Sequence, residues 1–119
     1  MSLSTHVLDA ALGLPAAGMT VRLEAAAAGN AREGWTTLVE ARTDRDGRAR
    51  EAFAALPSGA LAAGTYRLVF DTGGYFAEQG VKDYFYPEVV VCFTVADPGA
   101  HHHVPLLLSP FAYSTYRGS

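Results

Sequence analysis

A chain of 119 residues, 50% hydrophobic and 18% charged, has the composition of one globular domain with a modest core and not of a disordered segment. Its net charge of −3 excludes the basic stripe that nucleic-acid binding requires. No apolar run approaches the ~18 residues of a membrane span, and "MSLSTHVLDAALGLPAAG" has no secretory-signal pattern.

The chain carries one cysteine, which leaves no partner for an intrachain disulfide, so a soluble, reducing, cytoplasmic setting is expected. Period-two runs broken by turn residues dominate. "LSTHVLD" (3–9) predicts a first strand, closed by Gly13, Pro15 and Gly18. In "MTVRLEAA", Val21 and Leu23 alternate with Arg22 and Glu24, which predicts a half-buried second strand. "AAGNAREG" turns the chain into "WTTLVEART", a third strand. The "DRDG" of Asp44–Gly47 is a tight turn in which glycine supplies a positive φ, and "RAREAF" reads as a short strand after it.

"PSGALAAG" is read as a loop, and "TYRLVFD" as a strand with Tyr66, Leu68 and Phe70 on one face. "TGGYFAEQGVKDYF" lacks alternation and predicts one or two helical turns from a threonine cap, with Gly73-Gly74 as the weak point. "EVVVCFTV" predicts a strand buried on both faces, with Cys92 a buried, inert thiol. "HHHVPLLLS" and "FAYSTYRGS" finish the chain as two strands around Ser109-Pro110. The expected fold is an all-β, two-sheet antiparallel sandwich of about eight strands with one short helix, a single domain over residues 1–119.

Four features carry chemistry. His6 shares a strand face with Ser4 and Leu8, where an imidazole serves packing or catalysis. His101 and His103 share a face, with His102 on the other, and this HxH spacing suits a metal ion if His6 supplies a third ligand. Arg48, after the tight turn, is either a solvated charge or a donor fork for an anionic or carbonyl-rich ligand. The ending Tyr116-Arg117-Gly118-Ser119 is either a flexible tail or a ligand contact, with Gly118 permitting close backbone approach. No phosphate-binding glycine motif and no GxSxG elbow is present.

Taken in order, "LSTHVLD", "TDRDGR", "FYPEV" and "HHHVPLLLSPFAYSTYRGS" resemble the transthyretin-like family across essentially the whole chain, and within it the branch of 5-hydroxyisourate hydrolases. The terminal Tyr-Arg-Gly-Ser is the most specific element of the likeness. The resemblance implies a catalytic set of His6, Arg48, His103 and Ser119, with Tyr116, Arg117, Gly118 and His101 contacting substrate or shaping the pocket. His102 stands where the family has a tyrosine, and is expected to face away from His103.

The resemblance further implies a homotetramer, a dimer of dimers whose sites lie where subunits meet, and no cofactor or metal. The implied reaction opens the six-membered ring of 5-hydroxyisourate, on the route from urate to allantoin. Two other readings stand beside it. One is a carrier of a small apolar ligand without turnover; the other is a zinc hydrolase using His6, His101 and His103.

Overall fold

The computed structural model describes residues 2–27, 30–54, 56 and 62–119. Among these residues eight strands make two four-stranded sheets: β1 (Ser2–Asp9), β2 (Leu14–Pro15), β3 (Thr20–Ala26), β4 (Trp35–Arg42), β5 (Gly64–Phe70), β6 (Val89–Val95), β7 (His101–Ser109) and β8 (Ala112–Thr115). One sheet has the order β2-β1-β7-β8, the other β4-β3-β5-β6. The expected loop at 57–64 falls largely outside the described residues, as does part of the turn before β4. No helix among the described residues is long and apolar enough to cross a membrane.

Alternation decides which face each strand buries. Along β1, Leu3, Thr5, Val7 and Asp9 turn inward, while Ser2, Ser4, His6 and Leu8 turn outward. Along β7, His102, Val104, Leu106 and Leu108 turn inward. Val104, Leu106 and Leu108 meet Val21, Leu23, Leu68 and Phe70 of the other sheet in one apolar core, joined by Met19 and Phe76. The polar groups drawn inward all find partners. The Thr5 hydroxyl donates to the Val104 carbonyl at 2.7 Å, and the Tyr75 hydroxyl donates to Asp9 Oδ2 at 2.7 Å. Burial first, then the Asp9 carboxylate, push the Tyr75 phenol well above its ordinary pKa.

Glu24 is nearly buried at the β3 bulge and is held by Arg22 at 2.8 Å and by Arg67. Burial pushes its pKa up, but the hydrogen bonds from both arginines outweigh that and leave it lowered.

Four expectations need correction. First, the sandwich is not wholly antiparallel: β1 and β7 run parallel, with Ser4 opposite His103 and His6 opposite Pro105. Most of the chain separates them, so no hairpin dictates their direction.

Second, "RAREAF" is not a strand. Residues Arg50–Ala54 form a helix, α1, so the described residues hold two short α-helices where one was expected. Arg, Glu and Ala favour helix, and Phe53 anchors the turn in the core.

Third, the helix α2 (Thr72–Glu78) is capped by Asp71, whose carboxylate accepts from Gly74 N at 3.0 Å. The glycine pair does not break it: a Cβ on Gly74 would run into that carboxylate, and Gly73 N donates to the Pro87 carbonyl at 2.8 Å. Fourth, β6 buries one face only. It is an edge strand, and Cys92 and Val90 on its outer side are exposed.

Candidate active site

The site begins with a gap beside β1. Its partner β2 reaches only Leu8 and Asp9, so the rest of that edge lacks a strand. The Asp44–Gly47 turn fills it, with Val7 N donating to the Gly47 carbonyl at 2.8 Å. Asp44 shapes the turn, since its Oδ1 accepts from Asp46 N at 2.9 Å and Arg48 N at 3.0 Å. The Arg48 hydrogen bond is the main reason its carboxyl lies below the ordinary range. Gly47 has φ +77°, and a Cβ there would overlap the Val7 carbonyl. Arg48 is thereby delivered half-buried to the edge of β1, where it and Ser4 line a cavity of about 80 Å³.

On the outer face of the same sheet, the parallel register aligns Ser2 with His101 and Ser4 with His103. The imidazoles of His101 and His103 stack with centroids 6.5 Å apart. Ser4 Oγ lies 2.6 Å from His103 Nδ1 and 3.0 Å from His101 Nε2, and Ser2 Oγ lies 2.5 Å from His101 Nδ1. His6 stands on this face two residues beyond Ser4, about 7 Å along the strand. His103 is half-buried, and its pKa is lowered by desolvation and then by the nearby charges of Arg48, His101 and His6, with the Ser4 contact opposing.

The final residues close over one side of this face. Gly118 N donates to the His103 carbonyl at 2.9 Å, an isolated antiparallel bridge. A Cβ on Gly118 would collide with the His103 ring. The glycine's close approach is therefore to an imidazole of the protein itself. Ser119, one residue further, is exposed. Exposed Tyr116 and Arg117 border a second cavity of about 230 Å³, which also touches His102, His103 and Cys92.

The structure thus gathers His6, His101, His103 and Arg48 along one part of the β1–β7 face, with Gly118 against it. Tyr116 and Arg117 lie along the edge toward β6. His102 points the other way, 5% exposed, with Nδ1 3.1 Å from the Ala100 carbonyl. Among the described residues no group of three or more His, Cys, Asp or Glu side chains is arranged to hold a metal ion. The Ser4 hydroxyl sits between two of the imidazoles that the zinc reading needs. Sequence reasoning missed Ser2 and Ser4 as partners of these rings. Their signal was the same alternation that put Ser4 on the face of His6.

Two four-stranded sheets with a histidine-bearing polar face on one of them define a transthyretin-type β-sandwich. Residues 3–118 match the HIUase/Transthyretin family, and the chain belongs to it. It is 47% identical over 117 residues to the 5-hydroxyisourate hydrolase of Salmonella dublin, covering 98% of this chain and 80% of that protein. The structure of Klebsiella pneumoniae 5-hydroxyisourate hydrolase is similar, with TM-score 0.81 and 39% identity over 100% of both chains. So is sea bream transthyretin in complex with thyroxine, with TM-score 0.84 and 32% identity over 99% of this chain and 95% of that one.

Proposed function

We propose that the chain is a 5-hydroxyisourate hydrolase acting as a single-domain enzyme of the cytoplasm. The observation that carries the reading is the polar outer face of the β1–β7 pair, where imidazoles, hydroxyls and a guanidinium stand together. A carrier of an apolar ligand has no use for such a surface. The reducing compartment fits an exposed, unpaired Cys92.

The reaction is attack of water on an amide-like ring carbonyl, with cleavage of the C–N bond and a proton delivered to the departing nitrogen. The product is 2-oxo-4-hydroxy-4-carboxy-5-ureidoimidazoline. His103 and His6 orient the water, remove its proton and return one to the nitrogen. Arg48 binds substrate oxygens and offsets the negative charge that develops on the carbonyl oxygen. Ser119 holds the water or a ring nitrogen through its hydroxyl or carboxylate. Tyr116, Arg117, Gly118 and His101 shape the pocket and contact substrate. The chemistry needs neither cofactor nor metal.

The assembly we propose is a homotetramer whose sites are completed at subunit contacts. Support comes from apolar side chains left open: Tyr116, beside the site, is 60% exposed, and Phe111 and Tyr113, at the far end of the β7–β8 pair, are 66% and 40% exposed.

Freshly generated 5-hydroxyisourate, followed by its ultraviolet decay, tests the activity. The expected result is a decay rate proportional to enzyme concentration, unchanged after chelation. Decay at the spontaneous rate would leave the carrier reading. The pH profile tests the base. A base must be neutral to act, so kcat/KM falls on the acid side as it takes up a proton. With the His103 pKa lowered, that limb should have its midpoint below the ordinary imidazole value of 6.5. A midpoint at or above ~6.5 would point to an unperturbed or charge-paired histidine in its place.

A further inference from the structure

Ser4 stands between two imidazoles, and its chemistry constrains both. A hydroxyl has one proton to donate, and two ring nitrogens lie within hydrogen-bond distance of it, His103 Nδ1 at 2.6 Å and His101 Nε2 at 3.0 Å. It can donate to only one of them, so it must accept from the other. The tautomers of the two rings are therefore coupled. If His103 carries its proton on Nδ1, it donates to Ser4, and Ser4 donates to His101 Nε2. His101 then carries its proton on Nδ1, directed at Ser2 Oγ 2.5 Å away. If every bond reverses, His103 carries its proton on Nε2.

We propose that Ser4 is a positioning and relay residue that sets the tautomer of His103 and connects its Nδ1 to solvent through His101. The inference rests on His103 being a proton-transfer group of the site. In the first arrangement His103 Nε2 is bare and faces away from Ser4, ready to take a proton from water. As it does so, the Nδ1 proton passes to Ser4 Oγ, the Ser4 proton passes to His101 Nε2, and the His101 Nδ1 proton passes to Ser2 Oγ as exposed Ser2 releases its own proton to solvent. One proton has entered at His103 and one has left at Ser2, with every ring neutral again.

The chain now stands in the reversed arrangement, with a proton on His103 Nε2. When that proton goes to the departing ring nitrogen, the same bonds carry one back: His101 Nε2 to Ser4, Ser4 to His103 Nδ1, Ser2 to His101 Nδ1, and solvent to Ser2. The cycle closes without a lasting positive charge on His103. Such a charge is unfavourable on a half-buried ring facing the charge of Arg48 and the imidazoles of His6 and His101. His101 and Ser2 are exposed, which gives the relay its outlet.

Three measurements test it. In Ser4→Ala, kcat should fall at least about tenfold with KM within about twofold, because substrate contacts are untouched. Ser4→Thr, which restores the hydroxyl on a β-compatible side chain, should recover most of the loss. Nitrogen-15 spectra of the resting enzyme should show His103 in the Nδ1–H form, shifting toward a mixture of tautomers in Ser4→Ala. Wild-type kcat in Ser4→Ala, no rescue by Ser4→Thr, or a His103 tautomer indifferent to the substitution would each overturn the relay. His103→Ala separates the two levels. Full activity there sinks the site reading, whereas a strong loss there with an unaffected Ser4→Ala sinks the relay alone.

Discussion

His103→Ala and Arg48→Ala are each expected to lower kcat/KM for 5-hydroxyisourate at least about a hundredfold, with the fold intact. In the proposed mechanism the imidazole supplies proton transfer, for which a neighbouring residue at fixed geometry is a poor substitute. In the same proposal the guanidinium answers the charge on the carbonyl oxygen, and one such contact contributes roughly 2.7–4 kcal/mol to lowering the barrier. Neither side chain belongs to the apolar core. His103 points outward from β7, and Arg48 lies on a turn at the edge of β1. Truncation therefore opens no core cavity, and the melting temperature should stay within a few degrees of wild type. Steady-state kinetics with a thermal melt decides the matter. Near-normal turnover in either variant takes that residue out of the mechanism.

Gly47→Ala is expected to damage stability and activity together. The left-handed backbone at φ +77° costs an alanine about 1–2 kcal/mol. The added Cβ would also press on the Val7 carbonyl, which is fixed by accepting from Ala16 N at 2.9 Å. Overpacking of this kind costs about 1–3 kcal/mol. The sum corresponds to a fall in melting temperature of about ten degrees. Relieving the clash would draw the turn off β1, lengthen the Val7–Gly47 hydrogen bond and displace Arg48. Residual activity at low temperature should accordingly be well below wild type. A variant that melts normally and turns over normally would show that the turn does not position the guanidinium.

What could be read from the residues was whatever depended on near neighbours. Alternation of apolar and polar positions located β1, β3 and β5 and their buried faces, because a half-buried strand imposes a period of two. The same rule put His101 and His103 on one side and His102 on the other. It failed where burial is set by distant elements. The apolar run containing Cys92 looks the same whether one face of its strand is covered or both, and only the exposure of Val90 and Cys92 in the folded sandwich shows that the outer face is open. Arg50–Ala54 was misread because five residues carry too little period to separate helix from strand. Ser4 escaped notice for another reason. Its meaning lies in the register between residues 99 apart, and no local pattern encodes that pairing.

That separation has a consequence for how the molecule comes into being. β3 with β4 and β5 with β6 pair over modest stretches of chain and can close early, whereas β1 must wait for β7 to be synthesised. The hydroxyls and the rings they steady are brought together only by this last docking. Until that pairing forms, Ser2 and Ser4 lie far from His101 and His103, so the polar face of the site takes shape only when the parallel pair zips shut.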